Sequence, residues 1–283
     1  MWCARCAPTI AKTRRTQTRR PFRTTTRTED LSLANDPIHQ FHISPISAPF
    51  EIGGLDATFT NASLFMVAGV GAAAAFYYWA MKPAALIPGR AQVVAETGYD
   101  FVRGMVKDTA GEEGVKKFFP FVFTLFLFIF MANMIGMFPY FFTTTSQIVV
   151  TAAMALMVFF TVIIVGIAKN GAKFFKLFVP SGVPPLLYII VTPIEIISFF
   201  SRPLSHAVRL WANILAGHIL LKVFASFVPM LIAAGAGWGL LSVLPMTMTV
   251  ALYGLEFLVA FLQAYVFAIL TCIYLNDALH PGH

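Results

Sequence analysis

From residue 59 onward the chain alternates between long apolar runs and short polar or basic stretches. Residues 61–80 are apolar, close on Tyr77-Tyr78-Trp79 and are followed by Lys82, the aromatic and basic flank of a membrane span. A second run, 118–142, follows Lys116 and Lys117 and carries Asn133 as its one strongly polar side chain, which in a span reads as a helix-packing contact. Thr143-Thr144-Thr145-Ser146 reads as an outer turn, and 147–168 as a third span ending at Lys169, Lys173 and Lys176. Each run is long enough to cross a bilayer, which takes roughly 18 residues. Basic residues mark the inner ends, so 31–58 faces outside and Lys82 and Arg90 face inside. Residues 91–109 show helical amphipathicity instead. Val94, Phe101 and Met105 share one face; Glu96, Asp100, Arg103 and Lys107 share another. Such a helix either lies on the inner membrane surface or packs on its neighbours.

Two longer apolar stretches follow, 183–230 and 240–276. A continuous helix over the first would be about 72 Å long at 1.5 Å per residue, against a hydrocarbon core of about 30 Å. Each stretch therefore bends into a hairpin, with Pro193 and Pro203 available to bend the first, or forms a steeply tilted helix. Residues 177–276 hold only five charged side chains: Glu195, Arg202, Arg209, Lys222 and Glu256. A charge at the bilayer centre costs about 2.5–3.5 kcal/mol on insertion scales, so such residues face a protein interior or a wet cavity and suggest an ion pathway.

Their spacing is helical. Glu195, Arg202 and Arg209 recur every seven residues, nearly two turns, with His206 between the arginines and Ser198 and Asn213 extending the stripe. Glu256 and Gln263 are also seven apart. Two such stripes on adjacent antiparallel helices would line a path. Plainer roles stand beside this one. Arg202 snorkels or pairs with Glu195, Lys222 reaches an interface, and His206 and His218 are hydrogen-bonded packing residues. Arg209 resists the plain role, because its neighbours are apolar and no acid lies near it in sequence.

Composition agrees with an all-α polytopic membrane protein. Hydrophobic residues make up 58% and charged residues 12%, where a soluble domain carries about 25% charge; mean hydropathy is +0.76. The net charge of +7 belongs to residues 1–30, which contribute +6 and leave +1 for the remainder. It therefore indicates no nucleic-acid partner. This basic arm has no acid before Glu29 and no apolar core of a secretory signal. Two origins fit it: a transit peptide, or a start codon placed too far upstream. Cys3 and Cys6 form a lone CxxC and Cys272 lies in an apolar run, so the three cysteines define neither a disulfide framework nor a metal site. No cofactor motif is present, and without a GxxxxGK[ST] loop the chain does not itself make ATP.

The segment Ser198-Phe199-Phe200-Ser201-Arg202-Pro203-Leu204-Ser205-His206-Ala207-Val208-Arg209-Leu210-Trp211-Ala212-Asn213-Ile214-Leu215-Ala216-Gly217-His218 is similar to the signature of subunit a of rotary F-type ATP synthases. Pro193-Ile194-Glu195-Ile196-Ile197 and the stretch from Leu255-Glu256-Phe257 to Gln263-Ala264-Tyr265-Val266-Phe267 resemble it too, and the likeness runs from about Leu31 to the C-terminus. The family resemblance implies vertical spanning helices followed by two long, strongly tilted ones along a rotor ring. It implies no cofactor and no metal. Its implied partners are the carboxylate-bearing c-ring, the stator subunit b, the lipid bilayer and protons. It places Arg209 on the family's essential arginine, and Asn213, His218, Glu256 and Gln263 on polar positions of the proton path. Glu195 falls on the acidic position of the inner half-channel, and Arg202, Ser205 and His206 fall beside these as accessory positions. Gln263 is expected to hold Arg209 by a hydrogen bond. His218 and Glu256 stand in the mitochondrial arrangement, whereas the ending Tyr274-Leu275-Asn276-Asp277-Ala278-Leu279-His280-Pro281-Gly282-His283 resembles the bacterial branch and implies a bacterial inner membrane, with a mitochondrial one as the alternative. Trp211 departs from the smaller side chains often found there. The implied division is an arm at 1–30, an outside segment at 31–58 and a membrane domain at 59–283. Two other functions remain open on the residues alone: a secondary transporter using Arg209 for an anionic substrate, and a non-transporting membrane anchor.

Overall fold

A computed structural model describes residues 41–46, 51–52, 55–56, 58–82, 88–138, 141–178 and 188–279, all within one compact unit spanning 37–283. The basic arm, both CxxC cysteines and the last four residues lie outside the described residues. At the outer end a two-residue antiparallel pair, β1 (Glu51–Ile52) and β2 (Leu55–Asp56), precedes the helices. The rest is helical: α1 (Asn61–Met81), α2 (Arg90–Gly136), α3 (Ile148–Asn170), α4 (Tyr188–Ala233), the short α5 (Ala236–Leu241) and α6 (Val243–Leu279). Five stretches are long and apolar enough to cross a membrane. They are the three short runs and the two long ones read from the sequence.

Asn61 and Thr60 anchor the start of α1. The Thr60 hydroxyl accepts from the Ser63 amide, capping the helix. The Asn61 amide donates to His42 O, and its Oδ1 accepts from the Ser44 amide. The outer segment is tied a second time by Gln147, whose Nε2 donates to Phe41 O at 2.8 Å.

The long α2 is two helices. Gly111 has φ 68° and ψ −177°, a left-handed conformation that glycine adopts without a Cβ clash. A straight helix would separate Tyr99 and Phe119 by about 30 Å, yet their rings meet at 4.6 Å, and Phe101 meets Phe126 at 6.0 Å. The chain therefore reverses at Gly111. Of the two placements open for 91–109, the structure takes packing on neighbours: Ala95, Val102 and Val106 are buried and Phe101 also touches Phe261 and Tyr265 of α6. Val94, expected on the apolar face with Phe101 and Met105, points outward, because the face that packs is one residue round.

The second span is shorter than its apolar run. Helix ends at Gly136, and the chain then folds over the outer end. Thr143-Thr144-Thr145-Ser146, expected as a turn between spans, is one, and it is buried. Its hydroxyls are largely partnered: Thr145 donates to Asn133 Oδ1 at 2.7 Å and Ser146 to Thr143 O at 2.6 Å. Asn133 in turn donates to Ala260 O at 3.1 Å, the interhelical contact expected of it.

Both long C-terminal stretches run on as helices, so neither forms a hairpin. At 46 residues α4 is about 69 Å long. It continues through Pro193, Pro203 and Pro229, and it stays within apolar surroundings only by inclining steeply. Between it and α6 the contacts Arg202–Asp277, His206–Phe267 and His218–Glu256 pair rising with falling numbers, so the two helices are antiparallel. The main apolar core lies where α2, α3, α4 and α6 meet, around Ile129, Val158, Leu210 and Leu275.

Candidate functional site

The polar residues of α4 share a stripe by helical spacing but differ in burial. His206 is buried, with its ring edge against Phe267 (4.7 Å) and tilted on Tyr274 (5.2 Å) of α6, and its Nε2 finds no hydrogen-bond partner among the described residues. Arg202 turns the same way. Its Nη1 lies 3.2 Å from Asp277 Oδ2, and its guanidinium sits 4.9 Å from the Tyr274 ring centre, a planar cation over an aromatic face. The expected alternatives for Arg202, snorkelling or pairing with Glu195, are both replaced by this tie to α6. Asp277 was hidden from sequence reasoning because it lies 75 residues away.

Arg209, two turns beyond Arg202 on the same stripe, is not buried with them. It is exposed, as are Ser198, Ser205 and Asn213, while Glu195 is half-buried. Fourteen residues separate Glu195 from Arg209, about 21 Å of helix. No hydrogen bond joins Arg209 to Gln263 among the described residues. Gln263 is instead buried on α6, beside Glu256 in a cleft of about 270 Å³ shared with Asn213 and Gly217. The cleft is otherwise lined by leucine and valine, so its few polar groups are set in apolar walls.

His218 and Glu256 form the centre of the site. His218 Nδ1 lies 3.3 Å from Glu256 Oε1, an ion-pair distance off the line of a full hydrogen bond, and neither carboxyl oxygen has another partner among the described residues. Glu256 is buried. Gly217 makes its place: a Cβ there would stand 2.9 Å from Glu256 Oε1 and 3.2 Å from its carboxyl carbon. On its other edge His218 Nε2 lies 3.2 Å from Thr143 Oγ1, and the Phe41 ring sits 6.2 Å away. His218 and Lys222 also line a second, larger cleft of about 590 Å³, with Asn61, Phe138, Phe142 and Tyr253. Asn61 begins α1 and Phe138 follows the end of α2, so this cleft lies at the end of the bundle where α1 starts and α2 stops. The histidine–glutamate pair thus stands between this end cleft and a mid-helix cleft.

Of the residues named from the sequence, the structure joins His218 with Glu256, and Asn213 with Glu256 and Gln263. It leaves Arg209 exposed on α4, while Arg202 and His206 pack against α6. Thr143, Gly217 and Asp277 were missed. A threonine in a polar run and a glycine in a helix carry no signal of their own, and only the fold brings them to the pair.

These features define a class: a polytopic helical membrane protein that carries ionisable groups inside apolar helices, at the junction of two clefts. Residues 62–276 match the family model described as ATP synthase A chain. The chain is 61% identical over 251 residues to ATP synthase subunit a of Chelativorans sp., covering 89% of this chain and all of that one. It is 61% identical over 250 residues to the subunit of the same name from Allorhizobium ampelinum (88% and 99% covered) and 60% over 251 residues to that of Agrobacterium fabrum (89% and 100%). The chain belongs to the ATP synthase A chain family. It is the proton-translocating membrane subunit of that complex, is not catalytic by itself, and lies as a multi-pass protein in a bacterial inner membrane.

Proposed function

We propose that this chain forms two offset aqueous half-channels against a ring of rotor subunits, each bearing one carboxylate, and so couples proton flow to ring rotation and ATP synthesis. The observation that carries this reading is the His218–Glu256 pair, 3.3 Å apart and bridging the end cleft to the cleft of Asn213 and Gln263. Protons from outside enter the larger cleft, pass through the pair and reach a ring carboxylate at the level of Asn213. Once protonated, the carboxyl group turns into lipid at little cost, which an ionised one cannot do. After nearly a full turn it reaches the inner half-channel near Glu195 and releases its proton. The driving force is about 2.3 kcal/mol per charge for each 100 mV.

Arg209 separates the two routes. Its guanidinium stays charged at any working pH. It draws the bare ring carboxylate, favours the ionised form beside it and blocks a direct proton leak. Its exposure on α4 leaves it available to a partner chain, and the ring is that partner. Stator subunit b is the second partner in this reading.

The test is ATP-driven proton pumping in inverted membrane vesicles carrying Arg209→Ala, with assembly checked by co-purification of the complex. The expected result is an assembled complex with pumping abolished. Pumping at normal rates in the assembled complex overturns the reading.

A further inference from the structure

Thr143 closes the outer end of the chain over His218, and its geometry determines which ring nitrogen carries hydrogen. Gly136 is the last residue of α2, so its carbonyl has no amide partner four residues on within the helix. Thr143 Oγ1 donates to that carbonyl at 3.2 Å. The approach depends on Gly136 itself, because a Cβ there would meet Thr143 Cγ2 at 2.6 Å and Oγ1 at 2.8 Å. A hydroxyl has one hydrogen to give and two lone pairs. With that hydrogen committed to Gly136 O, the oxygen 3.2 Å from His218 Nε2 acts as acceptor, and Nε2 carries the hydrogen.

We propose that Thr143 is a positioning residue for proton transfer: by accepting from His218 Nε2–H it leaves Nδ1 as the nitrogen that exchanges a proton with Glu256. The proposal rests on the proton path described above. Second-partner control of a histidine's tautomer is a general device. Its consequence here is a defined proton count. In the empty pair a bare Nδ1 lies 3.3 Å from an oxygen of the Glu256 carboxylate, two acceptors with no hydrogen between them, which favours uptake of one proton. In the loaded pair that proton sits either on Nδ1, giving imidazolium and carboxylate, or on Glu256 Oε1, giving neutral imidazole and carboxylic acid. Transfer forms one O–H bond as one N–H bond breaks, or the reverse, and the Nε2–H bond is untouched.

Without Thr143 the ring is free to carry its hydrogen on Nδ1 and to donate it to the carboxylate. That stabilises the empty pair and weakens proton uptake. The imidazolium also loses an acceptor for its second N–H. Both effects act in the same direction. Among the described residues, the other charged or titratable groups lining the cleft beside this site are Lys222, one turn along α4, and Tyr253 of α6, whose hydroxyl donates to Met137 O at 3.0 Å.

The experiment uses the whole complex in inverted vesicles, whose lumen corresponds to the outer side. ATP synthesis is measured at a fixed imposed potential while the lumen pH is varied, for the wild type, Thr143→Val, Thr143→Ser and His218→Ala, with assembly checked for each. Valine keeps the shape and removes the hydrogen bonds; serine restores the hydroxyl. The expected result is a shift of the Thr143→Val profile toward acid by about one pH unit, the scale of one hydrogen bond to a charged group, with Thr143→Ser at the wild-type position. A wild-type profile for Thr143→Val, or a Thr143→Ser profile shifted like that of valine, overturns the positioning role. If His218→Ala also retains the wild-type rate, the proton path itself falls. If His218→Ala abolishes synthesis while Thr143→Val is unchanged, the path stands and only the role of Thr143 is lost.

Discussion

Helices α2 and α4 are nearly equal in length, 47 and 46 residues, and similar in peak hydropathy, 2.2 and 1.9. Yet 44% of the most apolar window of α2 is buried within the chain and only 6% of that of α4. Apolar character alone does not say what a membrane helix packs on, since lipid tails are as apolar as leucine. The distinction comes from shape and charge. α2 doubles back at Gly111 and gives Val122, Phe126 and Ile129 to the core. α4 gives only one edge to α3 and α6 through Phe199, His206, Leu210 and Ile214. The rest of its surface is bare, exposing Ile197, Phe200, Leu204 and Val208 and, on the stripe of Arg202, Arg209. A charged residue amid an apolar face cannot be left to lipid cheaply, and the proposed function assigns that face to the rotor.

The two regions respond to substitution in different currencies, stability for one and transport for the other. The largest stability effect is expected in the α2 core. Ile129→Ala, at a fully buried position, should cost about 2–4 kcal/mol, read as a lowered thermal stability of the purified complex in detergent. An intermediate effect is expected beside the proton pair. Gly217→Ala pushes a methyl group against Glu256 and should slow ATP-driven pumping about tenfold, equivalent to about 1.4 kcal/mol, while the complex still assembles. The smallest is expected on the bare side of α4, where Ile197 is 68% exposed and Ile197→Ala should change thermal stability by no more than about 0.5 kcal/mol. An Ile197 effect as large as that of Ile129 would erase the distinction between the helices.

How far the sequence carried these conclusions follows the range of each interaction. The spans were legible because hydropathy is a local signal. The continuous long helices were half legible: the length excess was plain, Pro193 and Pro203 left a hairpin open on the residues alone, the family resemblance favoured long tilted helices, and the structure shows unbroken helix. The reversal at Gly111 was not legible, since the pattern of 91–109 suits a membrane surface and a packed hairpin equally. At the site, seven-residue spacing placed Glu195, Arg202 and Arg209 on one stripe. That spacing could not say that Arg202 is tied to Tyr274 and Asp277 of α6 while Arg209 stays exposed. His218 and Glu256 were named from family resemblance; their contact across 38 residues, and the buried Thr143 behind them, belong to the tertiary fold alone.

The central claim, that the bare side of α4 is the rotor contact, is tested most directly by cysteine cross-linking in native membranes. A single cysteine is placed at Val208, one residue from Arg209, in a background with Cys3, Cys6 and Cys272 replaced by serine, and paired with one cysteine beside the carboxylate of the ring subunit. Ile164→Cys, at an exposed apolar position on α3, serves as the comparison. The account expects a disulfide-linked product with the ring subunit from position 208 and none from 164. Cross-linking from 164 with none from 208 would contradict it, and the exposed face of α4 would then be a lipid-facing surface.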